Sequence, residues 1–230
     1  MRDDIDLTAH RPDSRLRPGS IARAWTEAST TRGFRLEAVL SLAGLVGVLV
    51  VMSHFLAWVE LRPGVVLNDP VLALIPSRDV SWLTFALIYL GLLSGVGVLL
   101  PHPRRLVMGM QAYAMMVLLR MLVMSVTPLD PPVGLIPLRD PLVQSVSSGE
   151  ALTRDLFFSG HTSTMFLLAL LAPTRATKLF FGVCTALVAV LVLWQHVHYT
   201  VDVLVAPLFA YLARELVLAA HARTLRRGGR

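Results

Sequence analysis

Read from the amino terminus, the chain alternates between long apolar runs and short polar breaks. An arginine-rich polar stretch over residues 1–33, with Pro12 and Pro18, gives way near residue 36 to an apolar run that continues to residue 58. Further apolar runs cover 80–100, 106–126, 159–171, 179–194 and 199–220. Crossing the hydrocarbon of a bilayer takes a helix of about 20 residues. The pattern therefore predicts an all-α, polytopic membrane protein with six transmembrane helices. The fourth run is short, and it spans comfortably only if its helix begins about a turn earlier, over 154–158. The first run is too long for a signal-peptide core and ends without a small-x-small cleavage pattern, so it reads as a retained span. Strands are excluded from the membrane region, because an open sheet edge would leave backbone groups unpaired in lipid. The predicted division is an arginine-rich cytoplasmic tail over 1–33, with a short amphipathic piece near 21–25, a six-span membrane domain over 34–222, and a basic cytoplasmic tail over 223–230.

The placing of positive charge gives the direction of insertion. Seven arginines precede Leu36, the break after the second run carries Arg104 and Arg105, the break after the fourth carries Arg175 and Lys178, and the C-terminal end carries Arg223, Arg226, Arg227 and Arg230. The other breaks are longer but hold only Arg62, Arg78, Arg139 and Arg154. Cytoplasmic loops are the Lys/Arg-rich ones, so both termini are expected in the cytoplasm and the loops 59–79 and 127–158 outside. These outer loops contain Asp69, Pro70, Asp79, Pro128, Asp130, Pro131, Pro132, Asp140 and Pro141, and are expected to form a cap.

Composition agrees with the pattern. Of 230 residues 55% are hydrophobic, and the mean hydropathy is +0.65, which excludes an ordinary soluble domain. A net charge of +6 would suit nucleic acid, but the arginines cluster at the ends of apolar runs, as membrane anchors do, so no nucleic-acid partner is expected. A single cysteine, Cys184, excludes a disulfide framework or a thiolate metal site within the chain. Lys178 is the sole lysine among 21 basic residues, which suggests a GC-rich coding genome and a bacterial cell membrane.

Ionisable groups within apolar helices are costly, about 2.5–3.5 kcal/mol for Arg or Asp at mid-span, so each asks for a reason. Ser159, Gly160, His161 and Thr162 open the fourth run. Ser159 suits an N-cap, and the free N–H groups of that turn make an anion cradle in which an anion would favour protonated His161 as an acid. His198 and Asp202 are four apart at the outer end of the sixth run, near enough for the carboxylate to hold one ring N–H and leave the other nitrogen as a nucleophile. His161 and His198 should lie at similar depth on the same side, across one phosphate. Arg120, roughly 10 Å below the outer boundary at 1.5 Å per residue, is placed to clamp phosphate oxygens. Asp155 and Tyr199 are secondary candidates at the same site. His196 reads as structural, His54, Glu60 and His102 as interfacial, and the methionines of the third run as packing groups. Gly91, Gly95 and Gly97 suit helix packing rather than phosphate binding, since no nucleotide motif accompanies them.

In order along the chain, Asp155 through Thr162 (DLFFSGHT) and His196 through Asp202 (HVHYTVD) resemble two motifs of the sphingomyelin synthase family, a branch of the type 2 phosphatidic acid phosphatase superfamily. Arg120, Val126, Thr127, Leu129 and Pro131 resemble that family's motif around the third span, and Leu67 through Pro70 is a fainter echo. The resemblance implies that His198, oriented by Asp202, takes a phospho-headgroup from a phospholipid donor as a covalent phosphohistidine, while His161 protonates the leaving diacylglycerol oxygen. A lipid hydroxyl such as that of ceramide, or water, would then be the acceptor, with His161 as base. No metal or other cofactor is needed in this scheme, and the sequence offers no metal-ligand cluster. The phosphatase branch carries an arginine where this chain has Val192, and its lysine-and-arginine motif is missing here, which favours the synthase-like branch.

The expected function is thus a membrane lipid phospho-headgroup transferase with its active site facing outside, the alternative on the same residues being a lipid phosphate phosphatase or a phospholipase C-type hydrolase. A rhomboid-like serine hydrolase built on Ser159 and His198 would leave His161 and Asp202 without a role. A non-catalytic lipid-binding protein is the remaining reading.

Overall fold

The computed structural model describes residues 20–138 and 152–228. Residues 1–19 of the predicted N-terminal tail, and Arg139, Asp140 and Pro141 of the second outer loop, lie outside that range. Seven helices follow one another among the described residues: α1 Ser20–Ser29, α2 Arg32–Leu61, α3 Ser81–Leu99, α4 Pro103–Val126, α5 Gly160–Leu171, α6 Arg175–Trp194 and α7 Thr200–Gly228. Their boundaries follow local chemistry. Pro103 opens α4, where its missing N–H costs nothing. Thr174 and Thr177 form a reciprocal capping box at the start of α6. The amphipathic piece expected near residues 21–25 is α1.

The helices α2, α3, α4, α6 and α7 are long and apolar enough to cross a membrane, with mean hydropathy of 1.7–2.3 over their best windows. The fourth expected span differs. It spans comfortably only if its helix begins over 154–158, but α5 starts at Gly160 and has 12 residues, about 18 Å of rise. Phe157 has φ +43°, outside the helical region. Ser159 is extended and caps the helix. The carbonyl of Phe158 accepts a hydrogen bond from Arg120 Nε at 2.8 Å rather than from a further helical turn. Irregular backbone is tolerated at membrane depth only where protein surrounds it. Leu156, Phe158 and Ser159 are accordingly buried, and α5 packs among α3, α4, α6 and α7.

Helix contact in lipid depends on close packing, because lipid tails are as apolar as leucine. Ala206, Ala210 and Ala213 give α7 a small-residue face on which Ala112 and Met116 of α4 and Leu167 and Leu171 of α5 settle. Phe158 lies flat on Phe209, ring centroids 4.3 Å apart. Met52 and Val59 of α2 pack on Val117, Met121 and Met124 of α4, so several methionines are packing groups as expected. The outward side chains of α2, including Val39, Leu40 and Val50, are exposed and apolar, as a lipid-facing surface is. Together these features describe a membrane-embedded protein.

The loops after α2, α4 and α6 gather at one end of the bundle. Val65 N donates to Pro128 O at 3.0 Å and Asp130 N to Val65 O at 3.1 Å, while Arg78 N reaches Trp194 O and Ile136 N reaches Gln195 O. Fully buried Gln195 donates to Ser81 Oγ at 2.7 Å and accepts from Val80 N at 3.3 Å. His196 turns both ring nitrogens to carbonyl oxygens, of Val133 at 3.0 Å and Ile75 at 2.9 Å, so it is a structural tie. At the opposite end Trp25 of α1 donates to Leu100 O, and His221 near the end of α7 meets Gln111 of α4, which donates to Glu37 of α2. Both described ends of the chain therefore lie away from the cap.

The cap depends on close approach at Gly64. A Cβ there would run into the backbone of Leu129 and lie 2.6 Å from Asp130 N. Gly64→Ala is expected to destabilise the protein by about 1–3 kcal/mol, since rigid backbone must shift. The check is the thermal unfolding midpoint in detergent, and an unchanged midpoint would contradict the cap's dependence on this contact.

Candidate active site

Arg120 enters from α4, six residues before the helix ends at Val126, and its side chain is buried. A buried guanidinium needs partners for its donors, and segment 155–158 supplies them. Nε donates to Phe158 O at 2.8 Å, Nη1 to Asp155 Oδ2 at 3.2 Å, and Nη2 to Asp155 O at 3.1 Å; Asp155 Oδ1 also lies 2.9 Å from Nη1. These bonds engage Nε, Nη1 and Nη2 alike, and Arg120 is also among the residues that line the cavity shared with His161. Close approach is permitted by Gly160, where a Cβ would stand 3.1 Å from both Cζ and Nη1 of Arg120.

His161 follows Gly160 in the first turn of α5. It is half-buried, meets Phe85 edge-on with ring centroids 6.3 Å apart, and lines a cavity of about 340 Å³ with Arg120, Asp155 and Gly160. The rest of the wall is mostly apolar and comes from α2, α3, α4 and α5, reaching Leu49, Leu92 and Tyr113 along the bundle. A polar end joined to an apolar shaft suits an amphipathic ligand. Ser159 is fully buried beside this end. Its Oγ accepts from Thr162 N at 3.4 Å and Thr162 Oγ1 at 3.1 Å, which makes it the cap of α5.

His198 and Asp202 form a second group at the opening of α7. His198 Nδ1 lies 3.3 Å from Asp202 Oδ2, and both side chains are buried. The pairing expected from their spacing is present, but its route differs: His198 precedes the helix, and Asp202 reaches back to it while also accepting from Tyr199 N at 3.1 Å. The four residues Arg120, Asp155, Gly160 and His161 thus share one cavity, and His198 is not among its lining residues. A backbone bond from Ser159 N to Asp202 O, 3.1 Å long, ties the two turns to each other. Tyr199 belongs to neither group's reactive edge. Its hydroxyl accepts from Leu67 N at 3.0 Å and donates to Asp130 O at 2.9 Å. Burial pushes this phenol above its ordinary value, and the carboxylates of Asp202, Asp130 and Asp69 add to the rise, so it stays a protonated donor.

Other polar residues hold these groups, and sequence reasoning missed them. Glu60, expected to be interfacial, accepts from Thr153 N and Arg154 N at 3.0 Å each, while Arg154 Nε reaches Asp130 Oδ1 at 2.7 Å. This fixes the segment that carries Asp155. Asp69 accepts from Thr200 N at 2.6 Å and Thr200 Oγ1 at 3.0 Å, and from Val71 N and Leu72 N in its own loop. Burial acts to raise the Asp69 pKa, but these four hydrogen bonds outweigh it and hold the carboxyl below its ordinary value of 3.8.

Residues 154–218 match the family described as PAP2 superfamily C-terminal. The match supports the type 2 phosphatidic acid phosphatase superfamily. It covers Asp155, Ser159, Gly160, His161, His198 and Asp202, and leaves Arg120 outside. No curated protein matches the chain. Members of the superfamily are phosphatases and phosphotransferases.

Two stability tests follow from these contacts. Arg120→Ala would leave Asp155 and the Phe158 carbonyl without their donor, and is expected to cost about 3 kcal/mol, while Arg120→Lys should recover part of the loss. Unfolding of the three proteins in one detergent measures this, and equal stabilities would sink it. The second test is the pH dependence of unfolding. Because the folded-state pKa of Asp69 is depressed, its contribution is fully present above the ordinary value of 3.8 and is lost as pH falls through the lower folded value. Asp69→Asn should flatten the acid side of the stability profile below about pH 4, and identical acid profiles would refute the assignment.

Proposed function

We propose that the chain is a membrane lipid phospho-headgroup transferase acting through a phosphohistidine on the extracytoplasmic face. The observation that carries this reading is the buried His198–Asp202 pair, tied through Ser159 to the turn that presents His161. Asp202 accepts from Nδ1–H and so leaves Nε2 with the lone pair. In the first half-reaction Nε2 attacks phosphorus, the bond to the diacylglycerol oxygen breaks, and His161 gives that oxygen a proton. Arg120 and the first N–H groups of α5 hold the phosphoryl oxygens. In the second, His161 takes a proton from a lipid hydroxyl, whose oxygen displaces His198 from phosphorus. The asymmetric arginine distribution supports an outward-facing site, with both chain ends cytoplasmic.

Ser159 supports this chemistry over a serine hydrolase. Its oxygen is fully buried and already accepts from Thr162 twice, so it serves the helix cap rather than a scissile bond.

The test uses purified protein in mixed micelles with labelled phosphatidylcholine, phosphatidylethanolamine and phosphatidic acid. His198→Ala should abolish turnover, a loss of at least about a thousandfold, whereas Ser159→Ala should cost about tenfold or less through its cap. Equal losses would favour the serine hydrolase. Adding ceramide or diacylglycerol should convert the released headgroup into a new lipid. An unchanged yield of soluble phosphoester would make the same site a phosphatase or phospholipase C-type hydrolase, and no turnover with any phospholipid would overturn catalysis altogether.

A further inference from the structure

Each helix start leaves N–H groups that the helix itself cannot satisfy. In α5 and α6 the preceding residue does the work, Ser159 for one and Thr174 for the other. At α7 this is not available. The residue before Thr200 is Tyr199, whose phenol points to Leu67 and Asp130, and the first-turn carboxylate of Asp202 is engaged with His198 and Tyr199 N. The local polar groups of this turn are thus committed elsewhere, and the cap comes from a distant segment.

That segment is the loop between α2 and α3. Asp69 Oδ2 accepts from Thr200 N at 2.6 Å, while Oδ1 accepts from Thr200 Oγ1 at 3.0 Å, Val71 N at 3.0 Å and Leu72 N at 3.2 Å. One carboxylate therefore joins the outer loop to the start of α7, where negative charge is also favoured by the helix dipole. The His198–Asp202 contact on that turn is 3.3 Å, at the long end for a hydrogen bond, so a small shift would lose it. Tyr199, between the two pairs, is anchored to the same loop through Leu67 N.

We propose that Asp69 is a positioning residue for His198: by capping α7 from outside the helix it fixes the turn on which His198 meets Asp202. This rests on the reading of His198 as the nucleophile. Asp69 touches neither His198 nor the reacting atoms in this scheme, and acts through Thr200 and the turn. Asparagine at this place has the same shape but only one accepting oxygen, so it cannot serve both the loop and α7.

The experiment compares wild type with Asp69→Asn and with Thr200→Val, which loses the hydroxyl bond but keeps the backbone one. Turnover of labelled phospholipid gives kcat and KM, and the ring N–H resonances of 15N-histidine-labelled protein report the His198–Asp202 bond directly. Asp69→Asn should lower kcat by about 10- to 100-fold with little change in KM, the scale of a reacting group displaced by about 1 Å, and Thr200→Val should lower it less. The His198 ring proton should shift or broaden in Asp69→Asn while the other histidine signals stay in place. An unchanged His198 signal with unchanged kcat overturns the proposal, as does a loss spread over all histidine signals, which would mark general unfolding. If wild type turns over no phospholipid yet its His198 signal still responds to Asp69→Asn, the transferase reading has failed and the brace has not.

Discussion

Backbone N–H and C=O groups cannot be left unpaired in hydrocarbon, and this constraint governs how the candidate site is built. A continuous helix meets it internally, but it hides its polar groups along its own axis. Reactive side chains have to be offered where helices begin or end, which is where the helix fails to satisfy its own backbone. The segment before α5 and the turn before α7 are two such places, and each is completed by groups from elsewhere. Arg120 takes the carbonyls of Asp155 and Phe158, Asp69 takes the first N–H of α7, and Ser159 N donates to Asp202 O. The candidate residues are therefore held by the same bonds that make the interruptions of the helices tolerable.

This also explains what the sequence made legible. Apolar runs report hydrocarbon contact directly, so the five long helices appear as runs of about the right length. The short α5 does not announce its start, because residues 156–158 are as apolar as a helix interior. What keeps them out of the helix is Arg120, whose position lies 38 residues from Phe158 in sequence. The pairing of His198 with Asp202 followed from their spacing, although a turn rather than a helix face brings them into contact. The braces were invisible for the opposite reason. Glu60 serves Thr153 from 93 residues away and Asp69 serves Thr200 from 131, and no local pattern encodes such a pairing. The echo at Leu67 through Pro70 marked the right loop without saying what its carboxylate does.

Arg120 raises a question of balance for the proposed phosphate site. A carboxylate already sits on its guanidinium, so the pair together carries less positive charge than an isolated arginine would offer an incoming anion. The arrangement is nevertheless favourable for orientation. Nε and one N–H on each terminal nitrogen are directed to segment 155–158, which locks the plane of the fork beside the cavity that Arg120 lines. Preorganisation of this kind lowers the reorganisation needed when charge develops in a transition state, which matters more to rate than the ground-state attraction that Asp155 weakens.

Gly160 is where these demands meet. The first N–H groups of α5 and the guanidinium of Arg120 are both positive, and they repel each other mildly in the absence of an anion. They can act on one ligand only if they stand close together. A Cβ at residue 160 would sit 3.1 Å from the guanidinium carbon, so a side chain there would push the arginine away from the helix start and split the two sources of positive potential. The glycine therefore does not serve an unusual backbone angle here; it serves proximity. In the proposed reaction the phosphoryl group sits between the helix N-terminus and Arg120, with His161 one residue further on to exchange the proton. Because Ser159 N, one residue earlier, is bonded to Asp202 O, the proposed anion site at this turn and the His198–Asp202 pair are built on adjoining backbone.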